Sequence, residues 1–303
     1  MPFRTALNYN ISGRPRNGQV GGLERKCALE PAAVDQQRIR KLKIISIIII
    51  GFIASILSGL LGIGGGSVLV PAMVYLLGMT QHRAHGTSLA VIAPVVVLSA
   101  LYYSTHGLVD WTIAVELMIG GVIGAMIGAR ICNLISAGRL RRYFGVFLAV
   151  IGIRMLYGAA FAFAGGPEIA GHAFSANTLG GGAAVVGIGL VTGVFSGLFG
   201  IGGGLIMVPT LVLLFAFPQK LAQGISLAVI IPVSISGALI HNAHGNVNWG
   251  VAFWLALGGI LGGLVGAHLA VVEIGEVALK GMFGMLMLVT GMLMFRHKTQ
   301  TCN

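Results

Sequence analysis

The stretch Ser58-Gly-Leu-Leu-Gly-Ile-Gly-Gly-Gly66 recurs 138 positions later as Ser196-Gly-Leu-Phe-Gly-Ile-Gly-Gly-Gly204. The same offset carries Ser88-Leu-Ala-Val-Ile92 onto Ser226-Leu-Ala-Val-Ile230. About half of the positions from Ser58 to Ala129 are identical in the second copy. Chance similarity between apolar segments would not keep one offset for so long, so the chain contains two copies of one unit.

Apolar residues dominate the composition around this repeat. Of the 303 residues, 56% are hydrophobic and 9% are charged, and the mean hydropathy is +0.93. A soluble domain carries roughly 25% charged residues. Because a spanning helix needs about 20 apolar residues, the region from Ile44 to Phe295 has room for about eight to ten membrane segments. The sequence therefore predicts an all-α polytopic membrane protein.

Each copy divides into five apolar segments, of which the second is too short to span a bilayer. The predicted segments are 44–61, 67–79, 87–104, 112–131 and 143–164, then 180–199, 205–217, 225–242, 250–272 and 279–295. A helix as long as the second segment reaches only about 20 Å, less than a hydrocarbon core of about 30 Å. We expect the short segments to be broken or re-entrant helices that turn at the glycine motifs.

The basic residues set the expected topology, because Lys and Arg concentrate on the cytoplasmic side of a membrane. Nine of the 19 Lys and Arg residues lie in residues 1–43, which are expected to form a basic, disordered cytoplasmic arm, with an organelle transit peptide as the alternative. The tail 296–303 is also basic and is expected to be cytoplasmic, whereas the connector 165–179 carries no Lys or Arg and is expected outside. Repeat 1 (44–164) and repeat 2 (180–295) would then start on opposite sides, as inverted repeats. Four crossings per copy would instead give parallel repeats.

The net charge of +11 would suggest a nucleic-acid partner on a soluble protein. Here nine of the basic residues lie in the arm and others lie in short clusters at segment ends, where they would face anionic lipid, so no nucleic-acid partner is expected. The three cysteines show no CxxC pair and no Cys/His ligand spacing. We expect no disulfide framework, no metal site and no cofactor. These cysteines are Cys27, Cys132 and Cys302.

The two glycine motifs are the first candidates for a substrate site. Irregular backbone survives in a bilayer only where protein or a wet cavity covers it. Successive glycines can adopt positive φ and direct their N–H groups toward one point, which makes an anion-binding nest. Close helix packing is the alternative role for these glycines. The candidate substrate-binding glycines are Gly62, Gly64, Gly65, Gly66, Gly200, Gly202, Gly203 and Gly204.

Hydroxyl side chains stand at the predicted start of the third segment in each copy: Thr87, Ser88 and Ser226. A helix N-terminus offers unpaired N–H donors, and a hydroxyl adds one more, so an oxyanion would be stabilised there. Ordinary helix capping is the alternative. Gln81 and Gln219 could add amide donors nearby or could lie in surface loops.

Four ionisable residues inside or at the ends of the predicted spans are further candidates. A central Arg costs roughly 2.5 to 3.5 kcal/mol to insert, so Arg154 is expected to face protein or water and could pair with the anion. His106 and His244, which occupy equivalent positions, and Glu116 are candidates for proton coupling. A hydrated histidine at the membrane boundary is the alternative for the two histidines.

The motif Gly59-Leu-Leu-Gly-Ile-Gly-Gly-Gly66, followed by Val70-Pro71 and Gly86-Thr-Ser-Leu-Ala-Val-Ile-Ala-Pro94, resembles the TauE/SafE family of membrane transport proteins. The resemblance covers about 250 residues after the arm. It implies export of sulfite or of small organosulfur anions such as sulfoacetate across a bacterial-type plasma membrane. The second copy departs from the first at Ile225, which stands in the place of Thr87, and the family pattern does not need the long arm.

We therefore expect a secondary transporter that moves a small anion across the bacterial inner membrane, with both termini in the cytoplasm. An anion channel, or a permease for an unrelated small solute, is the alternative. An enzyme is not expected, because the spans carry no HExxH motif, no Gly-x-Ser-x-Gly elbow and no paired carboxylates. The expected partners are the anionic substrate and the lipid bilayer. Homo-oligomerisation through the glycine-rich helices stays open, because the same glycines also serve packing within one chain.

Overall fold

The computed structural model describes residues 44–131, 137–164 and 182–296, and within these residues every regular element is a helix. The helices are α1 (Ile44–Leu61), α2 (Gly66–Leu76), α3 (Gln81–Thr105), α4 (Trp111–Ile131), α5 (Ala137–Phe163), α6 (Gly182–Phe199), α7 (Gly204–Leu214), α8 (Gln219–Ala243), α9 (Trp249–His268) and α10 (Glu276–Arg296). A π-helical turn, Leu269–Glu273, extends α9. The predicted arm 1–43, the connector 165–179 and the tail after Arg296 lie outside the described residues.

Eight of the described helices are long and apolar enough to cross a bilayer, and α2 and α7 are not. The two short helices have 11 residues each and reach about 16 Å, roughly half of a hydrocarbon core. Large apolar side chains such as Ile53, Phe253 and Leu261 lie exposed on α1 and α9, as a helix surface in contact with lipid requires. The predicted all-α polytopic membrane fold, with two short helices after the glycine motifs, is confirmed.

The predicted start of the third segment in each copy is wrong by about two helical turns. Helices α3 and α8 begin at Gln81 and Gln219, whereas hydropathy placed their starts at residues 87 and 225. The first turns are polar in composition, but Ala84 and Ala222 within them are completely buried. Packing against other helices of the bundle therefore keeps these turns helical, although their polarity is typical of a loop.

The most extensive helix pairings join one sequence copy to the other: α4 packs on α6, and α9 packs on α1. On α4, Gly120 faces Val186 and Gly128 faces Val194, so contacts advance along both helices in the same direction. On α9, Gly258 faces Ile48 and the later glycines follow the same rule, Gly262 against Phe52 and Gly266 against Ile56. These two pairs are therefore parallel. Both glycine ladders are used for packing within the chain.

Two further pairs join equivalent helices of the two copies, and they run antiparallel. In the α3–α8 pair, Gly86 at the start of α3 lies against His241 at the end of α8. Conversely, Gly224 at the start of α8 lies against Tyr103 at the end of α3. The α5–α10 pair follows the same rule, since Gly152 faces Gly284 while the later Gly291 faces the earlier Gly145.

Candidate functional site

Each glycine motif forms a tight turn between a spanning helix and a short helix. The first turn has positive φ at Gly62, Gly64 and Gly65 (70°, 78° and 77°). The second turn has nearly the same values at the equivalent glycines, 64° at Gly200, 81° at Gly202 and 83° at Gly203. Residues with an L side chain rarely adopt positive φ, which explains why both turns consist mainly of glycine. Gly65 and Gly203 are the N-cap residues of α2 and α7.

The two turns touch each other. A Cβ on Gly66 would collide with the carbonyl of Gly200 and with Ile201, and a Cβ on Gly204 would lie 2.6 Å from the Gly62 carbonyl oxygen. At Gly202 the added atom would be 3.6 Å from Gly64 Cα. The backbones of the two turns are therefore in direct contact, and only glycine permits that distance.

One serine in each copy binds the glycine turn of the other copy. Ser88 on α3 donates from its hydroxyl to the Gly200 carbonyl oxygen at 2.7 Å and to the His85 carbonyl oxygen at 2.8 Å. Its equivalent on α8, Ser226, donates to the Gly62 carbonyl oxygen at 2.8 Å. Both serines are completely buried. These crossed hydrogen bonds hold the two turns against each other.

Removing either crossed bond is expected to loosen the turns. In Ser88→Ala and Ser226→Ala a buried turn carbonyl loses a hydrogen-bond donor, which costs about 1 to 3 kcal/mol. We expect both variants to unfold at a lower temperature than the wild type in detergent. The control is Ser236→Ala, because Ser236 donates only within its own helix, to Val233 O at 2.9 Å. Equal melting temperatures for all three variants would contradict this role.

The structure corrects the expected role of the hydroxyl side chains at 87, 88 and 226. They lie in the second turn of α3 and α8 and not at a helix N-terminus, so they do not cap unpaired N–H groups. Thr87 Oγ1 accepts a hydrogen bond from the backbone N–H of Asn248 at 3.0 Å, which ties α3 to the N-cap of α9. Ile225, the equivalent of Thr87, lacks the hydroxyl that would form the matching bond.

The glutamines at the helix starts differ from each other. Gln81 is exposed. Gln219 is 2% exposed, and within the described residues its side-chain amide has no hydrogen-bond partner. Its backbone N–H donates to Glu276 Oε2 at 3.3 Å, so the N-terminus of α8 is held by a carboxylate from α10.

Apolar side chains cover the place where the turns meet. A Cβ on Gly64 would lie 3.3 Å from both Ile92 on α3 and Ile230 on α8, which are equivalent residues. Both isoleucines are completely buried. The centre of the bundle is thus closed by two matching apolar residues and two backbone turns.

The sequence does not mark several polar side chains near the turns as candidates, because serine and tyrosine in an apolar helix carry no spacing signal. Ser58 and Ser196 are completely buried next to Gly65 and Gly203, and within the described part of the chain neither hydroxyl has a hydrogen-bond partner. Ser67, in the first turn of α2, is 8% exposed and its hydroxyl also has no partner there. The repeat register would have marked the first two as an equivalent pair.

A second missed pair lies where α3 and α8 end. Tyr103 donates from its hydroxyl to the Gly59 carbonyl oxygen at 3.2 Å and to Gln223 Oε1 at 3.1 Å. Its equivalent, His241, hydrogen-bonds through Nε2 to the Gly197 carbonyl oxygen at 3.2 Å. Both side chains thus bind the last turn of the spanning helix that precedes a glycine turn, but one copy uses a phenol and the other an imidazole.

Arg154 lies apart from the glycine turns, on the surface of α5. Its Nη1 and the Nζ of Lys280 lie 3.5 and 3.9 Å from the position that a Cβ would occupy on Gly158. Lys280, on α10, is 7% exposed, whereas the Arg154 side chain is exposed. The structure therefore places Arg154 beside a second cation and not with the candidate glycines.

The three proton-coupling candidates also lie away from the turns. His106 and His244 are exposed C-cap residues, and each hydrogen-bonds through Nδ1 at 2.8 Å to a carbonyl of the last helical turn, at Tyr102 and Ile240. Glu116 is partly buried, with Oε1 3.4 Å from the Cβ position of Gly182, the first residue of α6. A carboxylate there stabilises the positive end of the α6 dipole.

Comparison with known proteins places the whole membrane region in one group. The model of one protein family, described as "Sulfite exporter TauE/SafE", matches residues 11–155 and 185–302. The chain is 34% identical over 243 residues to the probable membrane transporter protein YunE of Bacillus subtilis, covering 73% of this chain and 86% of that protein. It is 35% identical over 214 residues to a probable membrane transporter protein of Xylella fastidiosa, covering 70% and 79% of the two chains. No solved structure matches the chain.

Proposed function

Because this chain belongs to the TauE/SafE family of membrane transporters, we propose that it is a secondary transporter that exports a small anion, either sulfite or a small organosulfur anion. The membrane is the bacterial inner membrane, and both termini lie in the cytoplasm. The description of the family and the names of the relatives support a transport function, and neither mentions an enzymatic activity.

The observation that supports the proposal most is the contact between the two glycine turns. Each turn has three glycines with positive φ, a conformation that can bring consecutive backbone N–H groups toward one point, and a short helix begins at each turn. Helix N-termini and consecutive N–H groups stabilise an anion without a formal positive charge. The neutral surroundings suit a carrier, because a substrate that is bound too tightly is not released.

Alternating access is the mechanism we propose for this site. The antiparallel packing of α3 on α8 and of α5 on α10 supports two inverted repeats, related by a pseudo-twofold axis in the membrane plane. The two copies would rock about the contact between the turns. The closure formed by Ile92 and Ile230 would open toward one face of the membrane and then toward the other, so the site would be accessible from one face at a time. Two apolar residues closing the centre favour a carrier over an open anion channel.

Uptake of labelled sulfite into inverted vesicles tests the proposal. With an imposed proton gradient, we expect saturable uptake that is lost when the gradient is collapsed. Unlabelled sulfoacetate, sulfate and taurine as competitors rank the substrates. Vesicles without the protein are the control. Sulfite flux no higher than in that control would contradict the substrate, and flux that does not saturate would indicate a channel.

A further inference from the structure

The two glycine turns share a backbone conformation but differ in the side chains beside them. Ser67, the second residue of α2, has Leu205 as its equivalent at the start of α7. Both turns have the buried serine of the preceding helix, Ser58 and Ser196. Besides the serine that bonds to each turn from the other copy, the first turn therefore has two hydroxyls without a partner next to it, and the second turn has one.

The Ser58 and Ser67 hydroxyls differ from most other buried hydroxyls in the described bundle, although Ser55, which faces Gly259 on α9, also has no partner there. Ser99, Thr192 and Ser234 each donate to a carbonyl of their own helix, the usual way for a hydroxyl to be satisfied in an apolar helix. Ser58 and Ser67 are at least nine-tenths buried, and within the described residues neither Oγ has a hydrogen-bond partner. A buried hydroxyl without a partner is costly, so a ligand that accepts a hydrogen bond from it would stabilise the site.

The geometry places these hydroxyls at the start of α2. Ser58 Oγ lies 3.4 Å from the Cβ position of Gly65, the N-cap residue, so it faces the turn. The Gly65 carbonyl accepts from the N–H groups of Val68 and Leu69, which are the first bonds of the helix. The N–H groups of Gly66 and Ser67 precede these bonds and belong to the unpaired donors of a helix N-terminus.

We propose that the first turn is the main anion-binding half of the transport site, and that the Ser58 and Ser67 hydroxyls donate to the oxygens of one small oxyanion held at the N-terminus of α2. This rests on the transport function proposed above. The ligand class is a sulfur or phosphorus oxyanion small enough to accept from two hydroxyls and a helix N-terminus. The second turn, with Leu205 in place of Ser67, contributes less to binding and forms the opposing backbone surface.

Thermal stabilisation of the purified protein by sulfite, sulfate, sulfoacetate and inorganic phosphate tests the proposal without transport. We expect at least one anion to raise the melting temperature of the wild type. In Ser58→Ala and Ser67→Ala, the concentration that gives half of the shift should rise about tenfold or more, because a hydrogen bond to a charged group is lost. Ser67→Thr, which keeps the hydroxyl, should bind within a few-fold of the wild type. Ser99→Ala, which removes a hydroxyl bonded to Val95 O in its own helix, should bind like the wild type.

The same variants in sulfite flux separate the two proposals. If the wild type carries sulfite and Ser67→Ala has an unchanged KM, the serine site is wrong and the transport function stands. If Ser196→Ala raises KM more than Ser58→Ala does, the second turn is the main binding half and the assignment is reversed. No stabilisation by any of the four anions would overturn the site. No sulfite flux together with Ser67-dependent stabilisation would overturn only the transport function.

Discussion

Replacing Gly65 or Gly203 with valine is expected to abolish transport while the protein still inserts in the membrane. Both glycines have φ near +80°, where an L residue costs roughly 1 to 2 kcal/mol and a β-branched one costs more. The new side chain is also crowded, since its Cβ would lie 3.1 Å from Ser58 Cβ at Gly65 and 3.3 Å from Thr192 O at Gly203, so these neighbours would have to shift. A displaced turn loses its contact with the opposite turn, and sulfite flux should fall by more than about tenfold.

Gly107 and Gly245 are matched controls for this prediction. They have φ of +71° and +70°, but nothing lies within 4 Å of a Cβ at either position. Gly107→Val and Gly245→Val therefore carry similar backbone strain away from the turns, and their flux should stay near the wild-type value. Membrane abundance is measured in parallel by quantitative blotting. Normal flux in both Gly65→Val and Gly203→Val at normal abundance would rule out the glycine turns as the transport site.

The second large effect concerns the glycine ladders, where Gly124→Leu or Gly262→Leu is expected to prevent stable folding. A Cβ on Gly124 would lie 2.8 Å from Val194 N, and one on Gly262 would lie 2.9 Å from the Phe52 carbonyl carbon. Backbone cannot rotate away as a side chain can, so the two helices would have to separate along the seam. Overpacking costs about 1 to 3 kcal/mol even where side chains can yield, and more is expected here.

Fluorescence-detected size-exclusion chromatography in mild detergent measures this loss as a fall in the monodisperse peak. The control is Gly187→Leu on α6, where nothing lies within 4 Å of the new Cβ and the residue is exposed. That variant should elute like the wild type. Wild-type elution of Gly124→Leu would mean that the α4–α6 seam is wider than the structure has it.

Much of the fold was predictable because the repeat register carries three-dimensional information. The constant offset pairs α1 with α6 and α4 with α9 as equivalent elements, and the length of the apolar segments separates the two short helices from the spanning ones. The glycines at 62–66 and 200–204 indicated tight turns, because glycine is the residue that tolerates positive φ. What the register does not contain is which helix of one copy packs on which helix of the other.

That missing information explains why some candidate residues lie where their sequence positions do not indicate. Ser88 was expected to offer its hydroxyl to an anion at a helix start, but it donates to the Gly200 carbonyl, an acceptor 112 residues away in the chain. Arg154 was a candidate because it lies near the middle of a predicted span. A position along the span does not determine the face of the helix on which a side chain lies. His106 and His244 are equivalent in the repeat, and each is the C-cap residue of its helix. Capping is a local role, so the repeat places both histidines at the same position without a shared site. The placements of Ser88 and Arg154 depend on contacts that are distant in sequence, whereas the two histidines bond within their own helices.

The parallel pairs α1–α9 and α4–α6 have a consequence for how the protein is made. A chain is synthesised from its N-terminus, so α1 enters the membrane long before α9, the helix whose glycine ladder packs against it. Helix α4 is likewise without its partner until α6 has been synthesised. We therefore expect the nascent first half to stay loosely packed in the bilayer until the helices of the second half are synthesised and pack against it.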